Sequence, residues 1–251
     1  MIDINKSSEV QIAYEDDDMA AVIKPYGMIV NNADTSRHEY TLQDWVKENL
    51  SIKKDKSDDA SDFFLRDGMV HRLDKETSGV LLVAKNEKVF VSLQKQFKER
   101  EVEKVYVALV HGQFPERANI TAPVGRLPWN RMRFGIVPDG RSAVTDFKLE
   151  KLYIDPDDPK SKLSLVKAFP KTGRTHQIRV HLQYAGFPIY SDALYAGRKV
   201  SSRDRKRLGR HFLHAKEITF LHPESHETMH IISKLTDDLS GFLKILEKAE
   251  D

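Results

Sequence analysis

His71-Arg72-Leu73-Asp74-Lys75-Glu76-Thr77-Ser78-Gly79 is the stretch on which the reading of this 251-residue chain turns. Met69-Val70 lead into it, and the apolar run Val80-Leu81-Leu82-Val83-Ala84 leads out. Aliphatic and β-branched residues flank a Lys-Glu-Thr-Ser-Gly cluster that cannot continue a sheet, so the segment reads as strand, tight loop, strand. Asp74 then stands at the mouth of a sheet, where a fixed backbone aims one carboxylate outward. An Asp in that place also commonly starts a loop by bonding its own backbone two residues on, and on local pattern alone that is the more frequent role.

Composition bounds what the carboxylate can serve. The chain is long enough to bury a substantial core, and 40% hydrophobic with 31% charged residues fits a soluble globular protein. No run of about eighteen apolar residues appears, so no membrane span is expected. Met1-Ile2-Asp3-Ile4-Asn5-Lys6 lacks a charged-then-apolar signal, which leads us to expect a cytoplasmic protein. With no cysteine, disulfides, thiol nucleophiles and cysteine-held metals are excluded. His222, His226 and His230 are four apart, but Pro223 and the strand-like flanks Ile218–Leu221 and Thr228–Ile232 argue for a hairpin, so no metal site is expected there.

The net charge of +2 is small, and its distribution says more. Arg198 to Arg210 holds seven basic residues against one acid, Asp204, while Glu224 to Asp251 holds seven acids and three lysines. Arg126, Arg131, Arg133 and Arg141 are interleaved with Trp129 and Phe134. A charge run is most often a solvated face. Arginine among glycine and aromatics is also the form of a phosphate-tracking, base-stacking surface.

Elsewhere the chain alternates strands and short helices. Val10–Tyr14 and Met19–Ile23 read as strands around the acidic turn Glu15–Asp18, and Lys24-Pro25-Tyr26-Gly27 turns out of the second. Thr41 caps a short helix to Leu50, Lys53–Asp62 reads as a mobile loop, and Asn86 caps a helix to about Arg100 with Phe90, Leu93 and Phe97 on one face. Lys104–Val110 alternates as a strand, which puts Lys104 and Tyr106 on the same face. Thr145–Tyr153 and Ser164–Phe169 are strand-like around Asp155-Pro156-Asp157-Asp158-Pro159. Thr175 is expected to cap a helix that Gly186 closes, and Thr236 another that buries Leu239, Phe242, Leu243 and Leu246.

His71 to Gly79 resembles the signature of the RluA family of pseudouridine synthases, His-Arg-Leu-Asp, two variable residues, then Thr-Ser-Gly, at every fixed position. Lys24-Pro25-x-Gly27-x-x-Val30 is similar to a second family element, although Asn31-Asn32 stand where many relatives have a His. Lys104-x-Tyr106 with Ala108, Val110 and Gly112 is similar to the next motif. Gly173-Arg174-Thr175-His176-Gln177-Ile178-Arg179, continued by Gly186, Pro188-Ile189, Asp192 and Tyr195, is similar to the third.

The resemblance implies an α+β fold: a long, mixed, mostly antiparallel bent sheet with flanking helices and a central RNA-binding cleft. It implies one catalytic domain over residues 1–251, because nothing before Lys24 has the length of the small N-terminal RNA-binding domain that many relatives carry. Asp74 is then the catalytic carboxylate, Tyr106 the ring against the target uracil, and Arg179 the cation that keeps Asp74 ionised, with Arg174 the alternative. Arg72, Lys104, Arg131, Arg133, Arg174, His176 and Gln177 would bind RNA. No cofactor or metal is expected; the partner is a structured ribosomal or transfer RNA stem-loop, and the protein is expected to be a monomer. A silent RNA-binding module would not need Asp74, and a carboxylate-dependent nucleoside glycosidase would not need the basic stretches.

Overall fold

The computed structural model describes residues 9–31, 39–53 and 61–249. The readings made on Met1–Lys6, on Asn32 and on most of the Lys53–Asp62 loop lie outside them. In chain order the elements are β1 (Gln11–Glu15), β2 (Met19–Lys24), α1 (Leu42–Asn49), α2 (Asp62–Leu65), β3 (Ser78–Ala84), α3 (Glu87–Glu99), β4 (Glu103–His111), β5 (Arg117–Thr121), β6 (Val124–Leu127), β7 (Asn130–Ile136), β8 (Val144–Asp155), β9 (Asp158–Pro170), α4 (Gln177–Tyr184), α5 (Arg198–Asp204), β10 (Leu213–Leu221), β11 (Thr228–Ile232), α6 (Asp237–Lys244) and β12 (Glu247–Lys248). This is the α+β class, with mostly antiparallel strands and short helices. The residues form two compact units, 1–103 with 215–234, and 104–214 with 235–251.

In the first unit the strand order is β1-β2-β3-β10, with β11 on β10. β3 is buried along its whole length because strands cover both its edges and side chains both its faces. Val89, Phe90 and Leu93 of α3 close one face together with Phe63, Val102 and Phe220. Each such side chain contributes roughly 1.5–3 kcal/mol on burial. The Asn86 side chain accepts Val89 N–H at 2.9 Å and starts α3 as its position predicts. Thr41 and Asp44 form a reciprocal capping box on α1.

The acidic turn after β1 is tied down. Asp16 accepts from Tyr14 Oη at 2.6 Å, from Asp18 N–H and Met19 N–H at 2.8 Å each, and meets His222 Nε2 at 2.8 Å. Burial pushes its carboxyl up, but these bonds outweigh burial and bring it down to about 2. His222 is thereby a structural partner of a carboxylate, and among the described residues no cluster suited to a metal ion occurs.

The second unit is built on β4-β9-β8-β12, with β5 on β8 and a separate β6-β7 hairpin. β8 and β9 extend the strands expected from sequence, and Asp157 N–H donating to Asp155 Oδ1 at 3.1 Å turns the chain between them. The core joins Leu109, Phe147, Val166, Leu182, Tyr190 and Phe212 with Leu239 and Phe242 of α6. Buried Arg210 ties α6 in: its Nε donates to Asp238 Oδ2 and its Nη2 to Thr236 Oγ1, both at 2.7 Å. No helix of the described residues is long and apolar enough to cross a membrane.

Three expectations need correction. Met69–Leu73 is not a strand: Met69 makes a single bridge to Val83, and the Leu82 N–H that a strand carbonyl would take goes to His71 Nε2 at 3.0 Å. Thr175 does not cap α4; His176 does so in a left-handed conformation, with no side-chain cap bond. The Arg198–Arg210 run is only partly a free basic face. Arg207 pairs with Asp155 at 2.6 Å, Arg203 with Asp158 at 3.1 Å, Arg210 with Asp238, and Arg205 donates to the carbonyls of Ser191 and Gly209. Arg198, Lys199 and Lys206 remain exposed.

Candidate active site

Asp74 begins a tight turn in the first unit. Its carbonyl accepts Thr77 N–H at 3.0 Å, and the next carbonyl, that of Lys75, accepts Gly27 N–H at 2.8 Å and Lys24 Nζ at 3.2 Å. Leu73 and Thr77 are buried on either side, while Asp74 itself is half-buried and Arg72 exposed. The turn is therefore anchored by a buried residue at each end, apolar Leu73 before it and Thr77 at its close, with half-buried Asp74 as its first residue. Its exit is tightly built: Gly79 has φ 122°, and a Cβ there would lie 2.2 Å from the Ala215 carbonyl oxygen. Only glycine lets β3 and β10 approach this closely.

In the second unit, Tyr106 is half-buried on β4, opposite Ala168 of β9. Lys104 shares its face by strand alternation. Burial, with the charge of Lys171 nearby, brings the Lys104 ammonium down to about 8.

Arg179 on α4 is buried, and its Nε and Nη2 donate to the two carboxylate oxygens of Asp192 at 2.7 and 2.9 Å. Asp192 also accepts the N–H groups of Leu194 and Tyr195 at 2.9 and 3.2 Å. Burial would raise the Asp192 carboxyl, but the Arg179 bonds and charge hold it below the ordinary carboxylate range. The pairing fixes the plane of the guanidinium, because a fork meeting two oxygens has one orientation. Arg179 also lies 5.0 Å from the centre of the Tyr195 ring.

Tyr195 gathers the other residues. Its hydroxyl accepts Phe134 N–H at 3.1 Å and meets His176 Nδ1 at 2.9 Å, while Arg133 lies 5.4 Å over its ring and bonds the Leu194 carbonyl. His176, Arg179 and Arg133 are thus brought together around one aromatic ring. His211 is buried nearby and held neutral, well below the ordinary imidazole value, by burial first and by the charge of Arg179 next.

Residues 18–184 match the RNA pseudouridylate synthase family, a span that holds Asp74, Tyr106 and Arg179. The chain belongs to that family. It is 42% identical over 183 residues to an RNA pseudouridine synthase of Chloroflexus aurantiacus, across 73% of this chain and 54% of that one. It is 35% identical over 240 residues to ribosomal large subunit pseudouridine synthase C of Buchnera aphidicola, across 94% of this chain and 70% of that one. The fold is shared with human RNA pseudouridylate synthase domain containing 1, at a TM-score of 0.68 and 24% identity, covering 99% of this chain and 100% of that one. The chain spans just over half the length of the Chloroflexus relative. The RluA-type resemblance of His71–Gly79 is therefore a family membership.

Within this family member the remaining expected residues separate by burial. Gln177 is buried: its Oε1 accepts from Thr172 Oγ1 and Arg174 N–H, and its Nε2 donates to Val144 O and Thr145 Oγ1. That amide shapes the 172–174 loop from within. Arg174 is half-buried, with Nε donating to the Ser142 carbonyl at 3.2 Å. The side chain of Arg131 lies outside the described residues. Asp192, Tyr195 and Lys24 were not singled out from sequence, although each stands in a recognised motif. Spacing alone does not tell a residue that anchors a site from one that merely continues a pattern.

Proposed function

We propose that this chain, a pseudouridine synthase by family, isomerises specific uridines in large-subunit ribosomal RNA with Asp74 as the essential carboxylate. The observation that carries the reading is the Asp74 turn, in which main-chain bonds hold the backbone that carries a half-buried Asp within a complete family signature. The ribosomal substrate is supported by the relatives named for large-subunit RNA. Ribosomal RNA as substrate would put the protein in the compartment that holds ribosomes.

The reaction breaks the bond from ribose C1′ to uracil N1, turns the base, and joins C1′ to C5; the C5 proton leaves and N1 gains one. All of these atoms belong to the nucleoside, so the protein has to supply an ionised carboxylate at the sugar, a platform for the turning base, and a proton acceptor. Asp74 is assigned the first role. Tyr106 is assigned the second, together with proton removal at C5. Arg179, its guanidinium held by Asp192, is the cation assigned to favour the ionised carboxylate.

Extracting the uridine from its stack costs a few kcal/mol, and stacking on a tyrosine returns roughly 1–3 kcal/mol. Arg72, Lys104, Arg133, Arg174 and His176 are assigned to RNA phosphates and bases, a salt-dependent share of the affinity. We take the protein to act as a monomer.

The test is pseudouridine mapping of total RNA from cells lacking the protein, complemented with wild type or with Asp74→Asn. Loss of one or a few ribosomal sites, restored by wild type alone, is the expected result. Sites restored equally by Asp74→Asn would favour an RNA-binding module, and release of free base from a free nucleoside would favour a nucleoside glycosidase. A site lost from transfer RNA would move the substrate class.

A further inference from the structure

The chemistry assigned above makes no use of α5. Asp204, its last residue and the only acid from Arg198 to Arg210, is buried. A buried carboxylate is costly unless partners meet it. His111 Nε2, at the end of β4, lies 2.8 Å from Asp204 Oδ2, Ser191 N–H donates to the same oxygen at 3.2 Å, and Arg203 Nε stands 3.6 Å from the other. The turn after α5 keeps helical bonding, with Arg205 N–H donating to the Ser201 carbonyl and Leu208 N–H to the Asp204 carbonyl at 2.9 Å each. Ser201, Asp204 and Leu208, spaced three and four apart, form the buried face. Rotating the helix about its axis would part Asp204 from His111 and strand a buried charge, so one face alone points outward.

At about 100° per residue that outward face holds Lys199, Arg203 and Lys206, with Arg198 at its margin. All four are exposed. Among the described residues no acid lies within ion-pair reach of Arg198, Lys199 or Lys206. Arg203 meets Asp158 at 3.1 Å with both groups about half exposed, a pair that contributes little. Lys199 and Arg203 are four apart and Arg203 and Lys206 three apart, spacings at which like charges destabilise a helix and a bound anion relieves them. The face also continues from residues already assigned to RNA. Arg133 bonds the Leu194 carbonyl, His176 meets Tyr195 Oη at 2.9 Å, and Arg198 follows Tyr195 by three residues, at most about 11 Å of chain. From Lys199 to Lys206 the basic strip runs on for roughly 10 Å.

We propose that the outer face of α5, Arg198, Lys199, Arg203 and Lys206, is a second RNA-binding surface that holds backbone phosphates of the substrate beyond the target nucleotide. This rests on RNA as the substrate. Phosphate contacts set affinity and register but read no sequence, so the face lengthens the grip on a structured RNA without choosing the uridine. The buried Asp204–His111 pair fixes which way that grip faces.

The test measures binding of the full chain to transcribed large-subunit ribosomal RNA across a salt series. Wild type is compared with the double variant Lys199→Gln, Lys206→Gln and with the double variant Lys98→Gln, Lys244→Gln, which removes two exposed lysines elsewhere. Surface changes of this kind leave the fold intact. Each phosphate contact contributes about 0.7–0.9 to the slope of log affinity against log salt. The α5 variant should flatten the slope by about 1.4–1.8 and weaken binding more than about tenfold near 0.1 M salt, while the Lys98 and Lys244 variant keeps the wild-type slope. An unchanged slope in the α5 variant, or an equal flattening in the other, overturns the proposal and leaves α5 an ordinary solvated face. If wild type binds this RNA but modifies no uridine in it, the isomerase reading on ribosomal RNA fails while the slopes still decide the role of α5. If wild type does not bind it, both fall.

Discussion

Gly79→Ala puts the geometry at the exit of the Asp74 turn to a quantitative test. A Cβ at this position would sit 2.2 Å from the Ala215 carbonyl oxygen and 2.7 Å from both its carbonyl carbon and its nitrogen, where ordinary contact begins at 3.4 Å. β3 and β10 would have to separate by about 1 Å, which the 4.7–4.9 Å strand spacing does not accommodate without losing ladder bonds. Positive φ costs about 1–2 kcal/mol for a residue with a side chain, overpacking about 1–3, and a weakened ladder bond about 1. A loss of about 4 kcal/mol follows, a large share of the 5–15 kcal/mol that holds a typical domain.

Gly27→Ala separates the two causes. Gly27 has φ 83° but nothing within 4 Å of where a methyl would stand, so backbone strain of about 1–2 kcal/mol is its whole cost. At about 2–4 °C per kcal/mol for a protein of this size, Gly79→Ala should lower the melting midpoint by about 8–16 °C and Gly27→Ala by about 2–8 °C. Thermal denaturation followed by circular dichroism, with both variants in one buffer, reads the difference. Equal losses in the two variants would refute the close approach of β3 and β10 at this point.

Arg179→Lys removes a two-pronged bond to buried Asp192, so about 3 kcal/mol of stability and at least tenfold in kcat should go, measured by urea unfolding and by pseudouridine formation. Trp129 is 79% exposed at the tip of the β6-β7 hairpin; Trp129→Ala should raise KM for the RNA by about five- to a hundredfold at an unchanged melting midpoint, if it stacks on a base. Stability should fall with acid in two steps. Buried His181 and His211 have depressed folded values, so their stabilisation is present above about pH 6.5 and is lost as pH falls below it. Asp16, lowered from 3.8 to about 2, stabilises above pH 3.8, and that share is lost between pH 4 and 2; Asp16→Asn should flatten this lower limb in an acid titration of folding.

Periodic, well-capped elements were legible in the sequence. The α3 face of Phe90 and Leu93 behind Asn86, the Thr41 cap, the β8-β9 hairpin and the β10-β11 hairpin all carry local signals that tertiary packing reinforces. The lead-in to Asp74 was misread because a His71 side chain takes the place of a strand carbonyl, and apolar pattern contains no trace of that exchange. The β6-β7 hairpin escaped notice since Val124–Ile136 mixes glycine, arginine and aromatics without alternation. The start of α4 was placed one residue early because left-handed His176 is invisible to cap statistics.

For the site, the motifs were legible and the partners of their residues were not. Asp74, Tyr106 and Arg179 come from motif spacing, but the internal use of Gln177, Arg207 and Arg210 depends on partners distant in sequence, such as Asp155 for Arg207 and Asp238 for Arg210. Charge counted along a chain cannot distinguish an arginine that meets solvent from one already spoken for by an aspartate.

The chain visits the first unit, leaves at Lys104, returns at Ala215 and leaves again at Leu235, so both units are interrupted in sequence. The core of the first includes Ile218, Phe220 and Ile231, and that of the second includes Leu239, Phe242 and Leu246. On the ribosome, β3 therefore emerges with one edge bare and waits for β10 until more than a hundred further residues have been added. At roughly 5–20 residues per second that interval lasts on the order of ten seconds. During it Val80–Ala84 offers an apolar, unpaired edge to any passing strand. Maturation of this protein is thus a late, nearly simultaneous closing of two half-built units, and its yield in cells should depend on translation speed and chaperone supply more than its final stability suggests.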